Sequence, residues 1–441
     1  MRVKFWGTRG SIPVPSPLVL RYGGNTSCVE VRTDAGTLLI LDCGTGARAL
    51  GQSLLREAQG QPLEGHILFG HTHWDHIQGL PFFAPVFVPG NVFHVYGPCG
   101  IGRSIGGALA GQMQYVYFPV TLEQCLAQVH PHDLTEGQFM VGEVEVTTHY
   151  LNHPLLTLGY RLSVGSAQVA YVTDHEPFAF ETATADARCA DGMPHGGDLA
   201  HIRFIEGTDV LIHDAQYCAE EYPARRGWGH STVEYCTDVA LAAGVPHLVL
   251  FHHDPDHDDD RIDALVERCR QRVAARGGKL LVTAAAEGSE IVLPETEPVG
   301  GAGDLVLAPP PTVHGARVVL ADDDPAVRQV VGELLRESGA SVVEAGDGEA
   351  ALAAVARQRP DLLILDLRMP KRDGLDVLRT LRAAPATRDL PVLLLTVNED
   401  ATRDSFAAGA SDYMIKPFTQ AQIRSRLERW LLRARSANGK R

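Results

Sequence analysis

All 19 histidines and all eight cysteines of this 441-residue chain lie before Gly315, and residues 315–441 contain neither. One folded core does not sort its residue types along the chain in this way, so the sequence is expected to form two units of different chemistry. Length points the same way, at roughly 100 to 200 residues per domain. Residues 294–315, PETEPVGGAGDLVLAPPPTVHG, combine Gly-rich and Pro-rich pieces without helical or strand period, as a semi-flexible linker does. As a free coil this stretch would span about 25 Å, enough for the second unit to touch the first. The expected division is a first domain at 1–293, a linker at 294–315 and a second domain at 316–436.

The two units also differ in charge. Residues 1–312 carry 19 Lys+Arg against 36 Asp+Glu, and those from Val313 onward 20 against 18. An acidic first unit has no general pull on polyanions, which disfavours a large nucleic-acid footprint and favours a small substrate. Hydrophobic residues at 45% and charged residues at 21% exclude disordered and fibrous classes. No apolar run reaches the roughly 18 residues of a membrane span, and the start, Met1-Arg-Val-Lys-Phe-Trp-Gly, leads straight into strand-like sequence. A cytoplasmic protein with no membrane partner is expected. The cysteines form no Cys-x-x-Cys pair, which argues against a disulfide framework and a thiolate zinc site.

In the first unit short β-rich runs alternate with Gly turns: VKFWG, SCVEVRT, TLLILDCG, HILFGH, VEVTTHYL, LGYRLSV, AQVAYVTD, DVLIHDAQ and HLVLFHH. Helical period occurs at Ala47–Ala58, 233–243 and Asp259–Ala275, while 180–199 reads as a loop insertion. After Ala316 the pattern changes. RVVLAD, SVVEAG, LLILDL, VLLLTV and DYMIK read as five strands, each followed by helix-compatible sequence, which predicts an α/β unit with a parallel sheet covered on both faces. Ligand chemistry in such a sheet belongs at the carboxyl ends of the strands.

The densest chemistry is His71-Thr72-His73-Trp74-Asp75-His76, directly after HILFG. In extended backbone residues two apart point the same way, so His71 and His73 can share one cation, while the turn that follows can aim Asp75 and His76 at a second. A His-rich surface loop is the plain alternative, and the spacing at a strand end disfavours it.

This H-x-H-x-D-H pattern resembles the metallo-β-lactamase fold superfamily at all four positions, and the resemblance covers about residues 1–293. It implies an αββα sandwich and three further ligands at the ends of later strands, in the order His, bridging carboxylate, His. His153 in LNHP, Asp174 in YVTDH and His252 in VLFHH follow in that order, with His253 as the alternate to His252 and His257 nearby. By this carry-over His71, His73 and His153 would hold one metal, Asp75, His76 and His252 the other, and Asp174 would bridge them. Zinc is the first choice, with manganese or iron as alternatives, and a carboxylate bridge tolerates two cations about 3.5 to 4 Å apart. The implied chemistry is hydrolysis by a hydroxide held between the metals, with Asp75 counted among the catalytic residues.

Two further segments resemble the phosphodiesterase branch of that superfamily, which includes the tRNA 3′-end endonuclease and small cyclic-nucleotide phosphodiesterases. They are His213-Asp214-Ala215-Gln216, closing a strand, and Gly229-His230-Ser231-Thr232, opening a helix. The resemblance implies that His213 lies beside the metals and helps protonate the departing oxygen or stabilise phosphate charge. His230 would be an active-site residue, or equally would cap its helix alongside Ser231. Arg9, Arg225 and Arg226 are candidate phosphate contacts that read more simply as solvated, and Asp42 reads as a turn carboxylate.

In the second unit Asp322-Asp323, Asp366, Thr396 and Lys416-Pro417 all fall at strand carboxyl ends. This set resembles the response-regulator receiver domain over about residues 316–436, a (βα)5 doubly wound fold. The resemblance implies that Asp322 and Asp323 bind Mg2+, completed by the backbone carbonyl of Arg368. Asp366 would take a phosphoryl group, and Thr396 and Lys416 would contact it. Thr396 and Tyr413 would be the parts that move on phosphorylation.

The combined expectation is a dinuclear-metal phosphodiesterase for a small phosphodiester such as a cyclic nucleotide. Phosphorylation of Asp366 by a sensor histidine kinase or another phosphodonor would regulate it, through dimerisation or through access to the site, and a homodimer is expected. The alternatives are a tRNA 3′-processing endonuclease and a non-catalytic, metal-dependent signalling module.

Overall fold

A computed structural model of the chain describes residues 1–98, 104–178, 196–295, 315–397, 408–418 and 420–438. The strands of the first unit are β1 (Arg2–Gly7), β2 (Cys28–Arg32), β3 (Leu38–Leu41), β4 (Glu64–Leu68), β5 (Val92–Pro98), β6 (Gln128–Leu134), β7 (Gly137–Val141), β8 (Val144–Tyr150), β9 (Leu158–Val164), β10 (Ala167–Val172), β11 (Val210–Asp214), β12 (His247–Phe251), β13 (Leu281–Ala284) and β14 (Glu290–Val292). They form two seven-stranded sheets, ordered β14-β1-β2-β3-β4-β5-β6 and β13-β12-β11-β10-β9-β8-β7.

The burial pattern shows why these runs are strands. Leu38–Leu41 is buried throughout. Side chains alternate across a strand, so Leu39 and Leu41 enter the core between the sheets while Leu38 and Ile40 pack under a helical layer. A strand covered on both faces must be apolar at every position. The same division on β11 sends Val210 and Ile212 between the sheets and Leu211 to the helices. Helices Ala47–Ala58 and Ile105–Gln112 cover the outer face of the first sheet. Helices Gly196–Ile205, Val233–Ala242 and Asp259–Ala275 cover the second, completing an αββα sandwich.

Within each sheet, β3-β4-β5-β6 and β10-β11-β12-β13 pair in parallel. Their carboxyl ends therefore deliver Asp42, His71, Asp174, Asp214 and His252 to one edge of the sandwich. The stretch read as a loop at 180–199 is in part helical, since Gly196–Ile205 begins inside it, and residues 180–195 lie outside the described residues. Most of the expected linker, 296–314, also lies outside them.

The second unit has β15 (Arg317–Ala321), β16 (Ser341–Ala345), β17 (Leu362–Asp366), β18 (Val392–Thr396) and β19 (Asp412–Ile415), all parallel in the order β16-β15-β17-β18-β19. Helices Pro325–Glu337 and Gln420–Asn438 pack on one face with Val318, Leu320 and Ile364, while Gly348–Gln358 and Gly374–Ala383 pack on the other with Val319, Leu363 and Leu365. This is the doubly wound (βα)5 arrangement. Among the described residues no helix is long and apolar enough to cross a membrane.

Candidate metal centre

The chain leaves β4 through Phe69 and Gly70, and His73 is extended (φ −66°, ψ 154°) at the start of a single helical turn, Trp74–Ile77. His71 and His73 thus stand two residues apart beyond this strand end, and the turn presents Asp75 and His76 from its first positions. Asp42, at the end of β3, accepts from the Gly70 amide (2.7 Å), His76 Nδ1 (2.8 Å) and the Tyr171 hydroxyl (2.7 Å). It fixes the proton of His76 on Nδ1 and leaves Nε2 to face the site. Asp42, Asp174 and His252 all adopt positive φ (57°, 51° and 60°). Such backbone costs a non-glycine residue roughly 1–2 kcal/mol, and its concentration at three strand ends marks where the fold holds strain for function.

The ligand atoms form two groups that share one side chain. In the first, His71 Nε2 lies 2.9 Å from His73 Nδ1, which lies 3.2 Å from His153 Nε2. Asp174 Oδ2 is 3.4 Å from His71 Nε2 and 3.7 Å from His153 Nε2. In the second, His76 Nε2 is 3.2 Å from both Asp75 Oδ2 and Asp174 Oδ1, and His252 Nε2 is 3.1 Å and 3.2 Å from the same two oxygens. Bonds of about 2.0–2.1 Å in a tetrahedron put ligand atoms about 3.3 Å apart, so both groups have the spacing of a cation cage. His76 Nε2 is buried and makes no hydrogen bond despite two carboxylate oxygens beside it, as a nitrogen aimed at a shared centre would. The donor set therefore fits two divalent cations, with Asp174 giving one oxygen to each.

Electrostatics divide the set: burial opposes charge on His76, but Asp75 and Asp174 outweigh it and hold that ring well above the usual imidazole range, as a place where positive charge is drawn in. Burial pushes His153 down to about 3 and His71 well below the usual imidazole range, which keeps both in the neutral, ligating form. Burial alone would raise Asp75 and Asp174, yet neighbouring imidazoles, chiefly His76 for the first and His252 for the second, hold both well below the ordinary carboxylate range.

An outer ring orients the ligands. His153 Nδ1 donates to the Gly229 carbonyl (2.9 Å), and His252 Nδ1 lies 3.2 Å from Gln216 Oε1. The Ser11 amide donates to Asp75 (2.7 Å) and the Thr173 hydroxyl to Asp174 (2.7 Å). Two glycines leave room for the rings. A Cβ on Gly229, whose φ is +93°, would sit 2.2 Å from His153 Nδ1, and one on Gly10 2.4 Å from the His252 ring. Gly10→Ala is expected to displace that ring and to weaken the second cation by about 10- to 100-fold, read by metal titration of the folded variant. Unchanged affinity would mean the ring has slack that the geometry denies.

His230 lies against this centre, its ring 5.0 Å from that of His252 and 5.4 Å from that of His153. Its Nδ1 is 3.1 Å from Asp214 Oδ2. Burial opposes its charge, but the Asp214 carboxylate prevails and pushes it up to about 9. Asp214 also accepts from the amides of His175 and Ser231.

His213 is placed elsewhere, which corrects the expectation that it would stand beside the metals. Residues 213 and 214 point to opposite faces of β11, and it is Asp214 that turns to the site. The His213 ring lies 3.0 Å from His201 Nε2, 2.8 Å from the Asp214 carbonyl and 3.3 Å from Cys236 Sγ, none of them a metal-site side chain. Strand alternation was the signal that could have found Asp214. His252 rather than His253 stands with the other candidate ligands, and His253 Nε2 is taken by the Ala285 carbonyl (2.9 Å). Arg9 is fully buried and donates to the carbonyls of Gly23, Asp254 and His257, so it braces the turns and is not solvated.

In the second unit Asp322, Asp323 and Asp366 bring carboxylate oxygens within 4.8 Å of one another. Lys416 Nζ donates to Asp322 (2.7 Å) and Asp366 (3.0 Å). Burial raises Asp366, against the pull of Lys416. Thr396 ends β18 beside β19, and its carbonyl accepts from the Lys416 amide (2.6 Å). Arg368 follows Asp366 by two residues in the loop after β17. Tyr413, on β19, points away toward the first unit, its hydroxyl donating to the Phe178 carbonyl.

Comparison with known proteins finds one domain match in each unit. Residues 37–253 match the beta-lactamase superfamily domain, and residues 318–428 match the response regulator receiver domain. The probable transcriptional regulatory protein TcrX of Mycobacterium tuberculosis is 44% identical over 119 residues, covering 26% of this chain and 50% of that protein. The chain thus spans about half the length of the curated relatives it matches. Among solved structures, the metallo-beta-lactamase fold protein YhfI from Bacillus subtilis is 18% identical, with a TM-score of 0.44 over 66% of this chain and 98% of that one. A diphosphatase from the PhnP family is 19% identical, with a TM-score of 0.44 over 67% and 98%.

Proposed function

Because the chain joins a beta-lactamase superfamily domain to a C-terminal response regulator receiver domain, we propose that it is a dinuclear-metal phosphodiesterase. It acts on a small phosphodiester, and its receiver is phosphorylated at Asp366 by a histidine kinase or another phosphodonor. The observation that carries the hydrolase reading is Asp174, whose two oxygens each complete a separate group of His and Asp ligands.

His71, His73 and His153 would hold one cation with Asp174 Oδ2, and Asp75, His76 and His252 the other with Asp174 Oδ1. When bound, such a pair polarises a phosphoryl oxygen and acidifies a water for in-line attack. The chain itself supplies orientation and a proton. Asp42, Gln216 and the Gly229 carbonyl set the ligand rings, and Asp214 holds the His230 imidazolium at the edge of the site. From there His230 can protonate the departing alkoxide, or hydrogen-bond to the phosphoryl oxygens as charge builds on them. The acidic first unit supports a small substrate over a polynucleotide.

The test is metal content followed by hydrolysis of a generic phosphodiester, cyclic nucleotides and precursor tRNA, for the parent and His73→Ala. Turnover of tRNA alone would reassign the substrate, and no turnover of any phosphodiester by metal-replete protein would end the reading. His230→Ala is expected to keep both metals and to lose about 10²- to 10⁴-fold in rate. A parent-like rate in that variant would remove His230 from the chemistry.

A further inference from the structure

The face of the receiver formed by β19 and the helix Gln420–Asn438 is occupied by the chain's own first unit. The Tyr413 hydroxyl donates to the Phe178 carbonyl (2.7 Å), and the Ser425 hydroxyl donates to the carbonyl of His153 (3.0 Å), a metal-site residue. Arg433 forms a two-pronged pair with Glu136 (2.7 Å each), and Glu136 in turn accepts from the Tyr150 amide (3.2 Å) at the end of β8. Arg426 and Arg429 lie over the Phe178 ring at 5.7 and 5.2 Å.

These contacts grip the two loops that matter most. One leaves β8 and carries His153, and the other leaves β10 and carries Asp174. Asn152 Nδ2 ties them together by donating to the Glu176 carbonyl (2.8 Å). Between the units lies a cavity of about 230 Å3, with Asn152, His153 and Glu176 on one wall and Lys416, Pro417 and Phe418 on the other. Lys416 is also the residue bonded to Asp366. A single turn of the receiver therefore touches the phosphoacceptor on one side and faces the metal-site loop on the other.

We propose that the receiver is an intrachain clamp on the metal centre, with Tyr413 and Ser425 as positioning residues that hold the His153 and Asp174 loops, and that phosphorylation of Asp366 loosens the clamp and lowers activity. The proposal rests on the hydrolase reading for its activity arm alone. In the phosphorylation step a carboxylate oxygen of Asp366 attacks the phosphorus of the donor. With acetyl phosphate, the new P–O bond forms as the P–O bond to acetate breaks and acetate leaves with the electron pair. The acyl phosphate carries a charge of about −1.5 to −2 in place of the single carboxylate charge, a net gain of about −0.5 to −1, and it brings three acceptor oxygens beside Lys416, which is now divided between Asp322 and Asp366. Drawing Lys416 toward it shifts the turn that continues into Pro417 and Phe418, and with it the strand bearing Tyr413. The direction is taken from the unmodified chain, in which the ligand groups stand at cage spacing while Tyr413 and Ser425 hold their loops.

The experiment uses the full chain with and without acetyl phosphate, for the parent, Asp366→Ala and the double variant Tyr413→Phe/Ser425→Ala. Three quantities are read: hydrogen exchange of the backbone at 151–154 and 174–178, zinc affinity, and phosphodiester turnover. Phosphorylated parent is expected to exchange faster at both loops and to lose about 5- to 10-fold in zinc affinity and rate. Asp366→Ala should not respond, and the double variant should resemble phosphorylated parent even when unmodified. Loop protection and zinc affinity that stay the same in fully phosphorylated parent overturn the proposal, as does a double variant that still responds like the parent. Exchange and zinc binding report on the clamp even if no phosphodiester is turned over, so failure of the hydrolase reading is seen separately.

Discussion

Asp174→Ala is expected to lose both cations together, where His252→Ala or His153→Ala should weaken chiefly one. The asymmetry follows from the position of Asp174, whose Oδ1 lies 3.2 Å from His76 and His252 and whose Oδ2 lies 3.4 Å from His71. A paired cation site is worth several kcal/mol of transition-state stabilisation, and each 1.36 kcal/mol is tenfold in rate, so the loss in turnover should be about a thousandfold or more. Metal stoichiometry of the three purified variants checks this. Two equivalents retained by Asp174→Ala would show that the carboxylate is not shared.

The second large effect lies in the receiver. Asp412 is buried and accepts from Arg426, Arg429 and Trp430 Nε1, the last at 2.9 Å. Burial alone would raise this carboxyl, but the two guanidinium groups hold it well below its ordinary range. Arg429 is itself buried, which pulls its guanidinium down to about 10. Asp412→Ala strands that charge away from water, a change that costs about 3–5 kcal/mol, out of about 5–15 kcal/mol for a typical domain. Calorimetry should show the receiver transition lowered by on the order of 10 °C or more. A shift of only a degree or two would mean the guanidinium finds another partner. The sign with pH follows from the lowered pKa. The carboxylate's contribution is present in full above the ordinary Asp range and is lost as acidification protonates it in the folded state.

Much of the centre was legible because its chemistry is local. Four candidate ligands stand within six residues at 71–76, and the remaining three candidates each follow a run that reads as a strand. What escaped had weak or misleading local signals. β6, Gln128–Leu134, carries Pro131, two histidines and an aspartate, and is a strand because β5 pairs along its whole length. The helix Ile105–Gln112 holds three glycines, each costing about 1 kcal/mol relative to Ala, and exists because Ile105 and Leu109 are buried against the first sheet. Asp42 was read as a turn residue, yet it braces His76 across 34 positions of sequence. The choice between His213 and Asp214 turned on which face of β11 meets the site, and that depends on packing between the sheets.

The sequence by itself determined the change of chemistry along the chain and the strand-end motifs with their candidate metal and phosphoryl residues, because these rest on residue type and short spacing. Only the tertiary structure decided that His230 is partnered by Asp214, that Asp42 braces His76, and that the receiver packs on the loops carrying His153 and Asp174. Each of those relations joins segments between 16 and 297 positions apart. Only packing of whole sheets and domains can bring such segments within hydrogen-bonding distance, and no short-range pattern encodes it.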